Sequence, residues 1–117
     1  MAIYKHGDIS DMNDSELRAY IVSEWRVYET DLAQYRIILA YEDESNYEGT
    51  ALYVLRRKSD GVFFTVHGSH CSCYGFEDQF IPEQCDKDYL LSDSFAYYLR
   101  ELTLMKAHRF LSYVERA

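Results

Sequence analysis

The sequence predicts a small α+β domain, in which a three-stranded antiparallel meander is covered by an N-terminal and a C-terminal helix (α-β-β-β-α). The chain has 117 residues, the usual size of one domain that buries its own core. Apolar residues recur with a helical period near both ends and with a two-residue period between them. One proline and five glycines leave most of the chain able to form regular structure. We therefore expect one domain over residues 1–117.

The first helix is predicted at about residues 14–30, after a lead-in of weak pattern over residues 1–12. Asn13 is followed three residues later by Glu16, which is typical of an N-cap with a capping-box partner. Apolar side chains then recur at helical spacing and predict a buried stripe: Leu17, Tyr20, Ile21, Trp25 and Tyr28.

Three strands are predicted at residues 35–41, 50–57 and 62–67. In the first, alternation points Tyr35, Ile37, Leu39 and Tyr41 one way and Arg36, Ile38, Ala40 and Glu42 the other. Residues 42–49 read as a polar, acidic connection, and Asp60-Gly61 supplies a tight turn before the third strand.

The C-terminal third is predicted to be a long ordered loop over residues 68–91, followed by a helix that Ser92 caps. The loop is longer than most connections, which suggests a functional or specially packed segment. The helix has an apolar stripe: Phe95, Tyr98, Leu99, Leu102, Met105, Phe110 and Tyr113.

Charge and composition exclude several classes of protein. The formal net charge is −8, whereas domains that bind a phosphate backbone are usually basic, so we expect no direct nucleic-acid binding. The sequence has no recognisable targeting signal or membrane span, so we expect no membrane partner. Three cysteines do not form a fully paired secreted framework, which indicates a cytoplasmic protein with reduced thiols.

The densest group of chemically capable residues is His67, His70, Cys71 and Cys73, with Cys85 further along the chain. Thiolates and imidazoles are the ligands that zinc prefers, so these five residues are the candidate metal ligands. A zinc knuckle usually separates two cysteines by two residues, but here only Ser72 stands between them. We favour packing and hydrogen bonding for this stretch; the alternatives are structural zinc, a Cys/His enzyme and a redox pair. No catalytic residue or cofactor is assigned.

Negative charge is concentrated in the first fifty residues, which hold 11 Asp+Glu against 4 Lys+Arg, or −7, while the remaining 67 hold 9 against 8, or −1. Such clusters are usually solvated loops, but they also suit a face that meets a basic groove on a partner. The predicted partner-binding residues are Glu42, Asp43, Glu44, Tyr47 and Glu48, followed by Glu77 and Asp78. The 12 tyrosines support an interface as well as a core.

Residues 66–84 resemble a motif of small, uncharacterised phage and prophage proteins. The shared core is HGSHCSCYG, His67 to Gly75, followed by an aromatic, an acid and the Pro82-Glu83 pair. The resemblance covers about residues 35–90 and implies expression inside a bacterial cell. It carries no catalytic assignment.

These observations predict a small acidic interaction protein that binds a bacterial host protein and inhibits or redirects it. The partner class we expect is a nucleic-acid-handling or defence complex, with nucleic-acid mimicry as one route. The sequence leaves self-association open. The alternative function is a metal or thiol site in the His67–Cys73 stretch.

Overall fold

A computed structural model describes residues 4–7, 9–45, 48–71, 75–100, 102 and 104–117. Its centre is a five-stranded sheet with the strands side by side in chain order. The strands are β1 (Tyr4–Gly7), β2 (Tyr35–Ser45), β3 (Glu48–Arg57), β4 (Phe63–His70) and β5 (Glu83–Cys85). β1 runs parallel to β2, and the other neighbours are antiparallel. The α+β class is therefore confirmed, and the predicted three-stranded meander is the centre of a wider sheet.

Helices cover both faces of this sheet. The helices are α1 (Asp14–Glu24), α2 (Glu29–Ala33), α3 (Lys87–Leu90), α4 (Asp93–Leu99) and α5 (Leu104–Arg116). We call the side packed by α1 and α2 the N-terminal face, and the side packed by α3, α4 and α5 the C-terminal face. Each face has its own buried apolar cluster, one around Trp25 and Tyr53 and the other around Phe95 and Phe110. Burial on both faces explains why β2 and β3 contain uninterrupted apolar runs.

The predicted first helix is divided into two. The Asn13 capping box is confirmed, because Asn13 Oδ1 accepts from the Glu16 amide at 2.8 Å and Glu16 Oε1 accepts from the Asn13 amide at 3.0 Å. The helix ends at Glu24, and Arg26 takes the left-handed conformation with φ of 54°. This reversal brings Trp25 onto the sheet and leaves Tyr28 79% exposed, so Tyr28 is not part of the buried stripe.

The acidic connection predicted at residues 42–49 is largely strand. β2 continues to Ser45 and β3 begins at Glu48. The register shifts between Ile37 and Leu39, which indicates a β-bulge. Alternation breaks at the bulge, because Ile38 and Leu39 both join the C-terminal core, and it then resumes with the faces exchanged. The predicted facing was therefore wrong for Leu39, Ala40, Tyr41 and Glu42.

The predicted loop at 68–91 and the single last helix also require correction. β4 continues to His70, and β5 and α3 lie within the remainder. Ser92 does cap a helix, accepting from the Phe95 amide at 3.3 Å, but α4 ends at Leu99. Leu102, between α4 and α5, is buried, and Met105 of the predicted stripe is 65% exposed. Within the described residues, no helix combines the length and apolar character needed to cross a membrane.

Candidate functional site

Glu42 lies inside the N-terminal core, with 2% of its surface exposed. Its Oε1 accepts from the Tyr20 hydroxyl at 2.5 Å. Its Oε2 accepts from Trp25 Nε1 at 3.1 Å and from the Tyr53 hydroxyl. An ionised carboxylate only accepts hydrogen bonds, so three donors match its chemistry. These four residues, which we call the Glu42 cluster, join α1, β2 and β3.

The Glu42 cluster corrects the predicted role of Glu42. Glu42 was predicted to meet a partner, but its burial removes it from the molecular surface. Burial, and then the neighbouring Glu42 carboxylate, raise the pKa of Tyr53 far above its usual value, so Tyr53 stays a neutral donor. The bulge in β2 is the physical reason: it turns residue 42 to the face that Trp25 covers.

Four of the five predicted metal ligands lie within the described residues, and the two histidines among them are on opposite faces of the sheet. His67 and His70 are an odd number of residues apart in β4, so their side chains project from opposite faces of the sheet. The His67 ring lies 5.0 Å from the Tyr98 ring on the C-terminal face. The His70 ring lies 4.6 Å from Phe76, edge to face. Across the described part of the chain, no group of three or more His, Cys, Asp or Glu side chains is placed to hold a metal ion.

Two of the three cysteines, Cys71 and Cys85, lie within the described residues. Cys85 lies in β5 opposite Phe63, four residues along β4 from His67. Partial burial, with a smaller contribution from Asp86, raises the pKa of the Cys85 thiol to about 11. A thiol with this pKa is protonated near neutral pH and is a weak nucleophile. Cys71 is half-buried, and Cys73 lies outside the described residues.

The described part of the HGSHCSCYG motif packs the end of the sheet. A Cβ at Gly68 would lie 2.4 Å from Trp25 Cη2, so glycine lets the indole ring rest on β4. Trp25 in turn stacks on Phe76 with centroids 4.5 Å apart. Gln79 pairs with the β4 edge: its Oε1 accepts from the Ser69 amide at 2.9 Å and its Nε2 donates to the Ser69 carbonyl at 2.7 Å. The favoured interpretation of this stretch as packing agrees with these contacts.

The predicted acidic surface is only partly described. Asp43 is exposed on β2, but Tyr47 lies outside the described residues and only the backbones of Glu44 and Glu48 are described. Asp78 is exposed with a left-handed φ of 64°. Glu77 Oε2 accepts from the Gly75 amide at 3.1 Å, and amides of Glu77 itself and of Gly75 hold the Glu77 pKa below its usual value.

Asp43 and the Glu77–Asp78 pair lie near the same end of the sheet but do not share a face. Asp43 is opposite Thr50 in the sheet, and Thr50 is opposite Ser69 on the next strand. The Ser69 amide donates to Gln79, which follows the Glu77–Asp78 pair. Asp43 lies on the C-terminal face, while Glu77 follows Phe76 of the N-terminal core. The structure therefore places Asp43 on a different surface from Glu77 and Asp78.

Sequence reasoning missed a concave site at this end of the C-terminal face. It has a volume of about 420 Å³, and we call it the aromatic cleft. Strands β2, β3 and β4 form its floor, and the end of α4 forms its wall. The lining residues are Tyr41, Asp43, Thr50, Ala51, Leu52, His67, Gly68, Tyr97, Tyr98 and Arg100.

The wall of the aromatic cleft is made of two exposed tyrosines. Tyr97 is 61% exposed and Tyr98 is 40% exposed, and their rings meet edge to face at 5.6 Å. The Arg100 guanidinium carbon lies 3.7 Å from the centroid of the Tyr97 ring. On the floor, the Tyr41 hydroxyl approaches Asp43 Oδ2 at 3.5 Å. Tyr98 of the predicted buried stripe is thus a partly exposed residue that lines the cleft, and its assignment to the stripe was wrong.

One sequence signal pointed to this cleft. Adjacent residues on a helix project about 100° apart, so Tyr97 and Tyr98 cannot both face the core fully.

Comparisons with protein-family models, with curated proteins and with solved structures gave no significant match to this chain. The function must therefore be argued from the residues of the chain itself.

Proposed function

We propose that this chain is a small acidic interaction protein of phage type, which binds a bacterial host protein through the aromatic cleft. The observation that carries the proposal is the exposure of Tyr97 and Tyr98 on the wall of a concave surface. Tyrosine and arginine are enriched in protein interfaces, where their large, stiff side chains bury much area at little entropic cost. Monomeric proteins rarely leave such rings together in solvent without a binding role.

The contrast with the rest of the molecule supports this assignment. The hydroxyls of Tyr20 and Tyr53 donate hydrogen bonds to Glu42, and Tyr35 packs against Phe64 in the N-terminal core. Tyr97 and Tyr98 are instead held at the surface by α4, whose Phe95 and Leu99 anchor the helix in the C-terminal core. A fixed helix that presents exposed rings is a rigid binding element.

An enzymatic role for the histidines and cysteines gains no comparable support. The described residues place His67 and His70 on opposite faces, and Cys85 keeps its proton near neutral pH. We therefore do not propose thiol or zinc chemistry as the function.

The host-directed part of the proposal rests on charge and on the resemblance of residues 66–84. A chain with net charge −8 is steered toward basic surfaces, and the grooves of nucleic-acid-handling proteins are basic. In this proposal the protein acts in the bacterial cytoplasm, occupies such a groove and blocks or redirects the host complex. This form of inhibition is nucleic-acid mimicry or an equivalent anti-defence role.

The test is affinity capture from bacterial lysate with matched variants. We expect the unmodified protein to retain one partner in stoichiometric amount, and Tyr97→Ala to retain at least about tenfold less. Tyr28→Ala is the matched control, since Tyr28 is also exposed but belongs to the helix pair of the opposite face. Equal capture by all three proteins, or no stoichiometric partner, would reject the proposal.

A further inference from the structure

We infer that the aromatic cleft is a receptor for an arginine side chain of the partner, whose guanidinium stacks on the tyrosine wall and pairs with Asp43. This inference rests on the proposed function and adds the chemistry of the group that is recognised. Three features of the cleft lead to it: a guanidinium already stacked on its wall, an exposed carboxylate on its floor, and its size.

The wall accepts a guanidinium within the chain itself. Arg100 lies with its guanidinium carbon 3.7 Å from the Tyr97 centroid, and its Nη1 donates to the Tyr97 carbonyl at 2.7 Å. A cation over the face of a tyrosine is attracted by the negative centre of the ring. The neighbouring Tyr98 ring, 40% exposed, belongs to the same wall, so a second planar cation meets the same chemistry there.

The floor supplies a negative charge next to that wall. Asp43 is exposed and lines the cleft, and the Tyr41 hydroxyl lies 3.5 Å from its Oδ2. A carboxylate can pair with a guanidinium through two parallel hydrogen bonds. The sequence following Asp43 adds Glu44 and Glu48, so the formal charge of the adjoining hairpin is negative. Arg100 also lines the cleft, but its guanidinium lies over Tyr97, so at the Tyr98 part of the wall the Asp43 carboxylate favours a cation over a phosphate-bearing ligand.

Shape and hydration favour arginine over lysine. A guanidinium is planar and weakly hydrated, so it can stack on Tyr98 and still donate to Asp43, while an ammonium is a compact and strongly hydrated point charge. The volume of about 420 Å³ is at the lower end of the range for ligand sites. It holds one long side chain together with the backbone beside it.

The inference can be tested on the purified full-length protein, without the partner. The probes are acetyl-Gly-Arg-Gly-amide, the same peptide with lysine, and the same peptide with citrulline, which keeps the planar shape and lacks the charge. Amide and ring resonances are followed by NMR during titration. We expect the arginine peptide to shift His67, Tyr98 and Thr50 with saturation in the millimolar range. The citrulline and lysine peptides should bind at least about tenfold more weakly than the arginine peptide.

Variants separate the cleft from general electrostatic attraction. Asp43→Asn should weaken the arginine peptide several-fold, and Tyr98→Ala should do the same without changing resonances of the N-terminal core. Asp31→Asn removes an equally exposed carboxylate from the opposite face and should leave binding unchanged. Adenosine monophosphate serves as the anionic competitor and should not shift the cleft resonances.

Three results would overturn the inference: equal binding of the arginine and citrulline peptides, no shift of cleft resonances, or tighter binding of adenosine monophosphate. Such a result would leave the proposed function intact if Tyr97→Ala still abolishes capture of the host partner. Conversely, specific arginine binding without a host partner would retain the site and reject the host interaction. The two proposals therefore fail separately.

Discussion

The two faces of the sheet use tyrosine in opposite ways. On the N-terminal face, Tyr20 and Tyr53 are held to the buried Glu42 carboxylate beneath Trp25. On the C-terminal face, Tyr97 and Tyr98 stand in solvent at the edge of the aromatic cleft. The hydroxyl of a buried tyrosine requires a hydrogen-bond partner within the protein, whereas an exposed ring can still contact a binding partner. We therefore expect changes at the first face to alter folding and changes at the second to alter binding.

The largest expected effect is on the free energy of unfolding when Glu42 is replaced. Glu42→Ala should lower it by about 3 kcal/mol, because the donors of Tyr53 and Trp25 lose their common acceptor inside the core. Chemical denaturation measures this. Asp43→Asn changes the next residue, which is exposed, and should stay within about 0.5 kcal/mol. Equal destabilisation by both variants would contradict the division between the faces.

A somewhat smaller loss is expected from Gly68→Ala. The added methyl group would lie 2.4 Å from Trp25 Cη2, so the indole must shift away from Phe76. Overpacking of this kind costs about 2 kcal/mol. Thermal unfolding is the measurement, with Ser69→Ala, at the neighbouring exposed position, as the control. If Gly68→Ala were as stable as Ser69→Ala, the glycine of the HGSHCSCYG motif would not be explained by packing.

Alkaline pH should lower the free energy of unfolding through Tyr53 of the N-terminal face. The pKa of Tyr53 is raised in the folded protein, so above about pH 10 the unfolded chain loses its proton first and binds fewer protons than the native state. Stability is therefore complete below pH 10 and falls as the pH rises, by up to about 1.4 kcal/mol per pH unit from this group.

Denaturation curves at pH 8, 10 and 11 measure this slope. Tyr53→Phe is less stable at pH 8 but should show a shallower loss above pH 10, because it has no phenol to ionise. Parallel slopes for the two proteins would show that groups other than Tyr53 dominate alkaline unfolding. Tyr89 is one such group, since its pKa is also raised.

The smallest expected effect on stability comes from the wall of the cleft. Tyr97→Ala removes an exposed ring and its stacking with Arg100, and it should change the free energy of unfolding by less than about 0.5 kcal/mol. The same variant should lose the host partner in affinity capture. A loss of stability near that of Glu42→Ala would mean that Tyr97 supports the fold, and would weaken its assignment to binding.

The elements that the sequence predicted well are those with a local cause. The capping box at Asn13, the Ser92 cap and the central three strands follow from side chains within a few residues of one another. The errors share a different origin. The left-handed Arg26, the bulge near Ile38 and the end of α4 at Leu99 lie where no glycine or proline marks a break. They are fixed by the need to place Trp25, Leu39 and Leu102 in a core.

The candidate site shows the same division. The acidic segment and the abundance of tyrosine were visible in the sequence, as was the choice between packing and chemistry for residues 67–73. The adjacency of Tyr97 and Tyr98 shows only that both cannot face the core; the exposure of each ring depends on what packs above it. The predicted role of Glu42 failed for one reason: a bulge of one residue exchanges the two faces of a strand.

By itself, the sequence determined the α+β class, the caps, the central meander and an acidic chain rich in rings, since each follows from composition or from spacing along the chain. The tertiary structure decided that Glu42 is a core acceptor, that His67 and His70 are parted by the sheet, and that Tyr97 and Tyr98 face solvent. Those outcomes depend on contacts between residues far apart in sequence, and local pattern alone does not fix them.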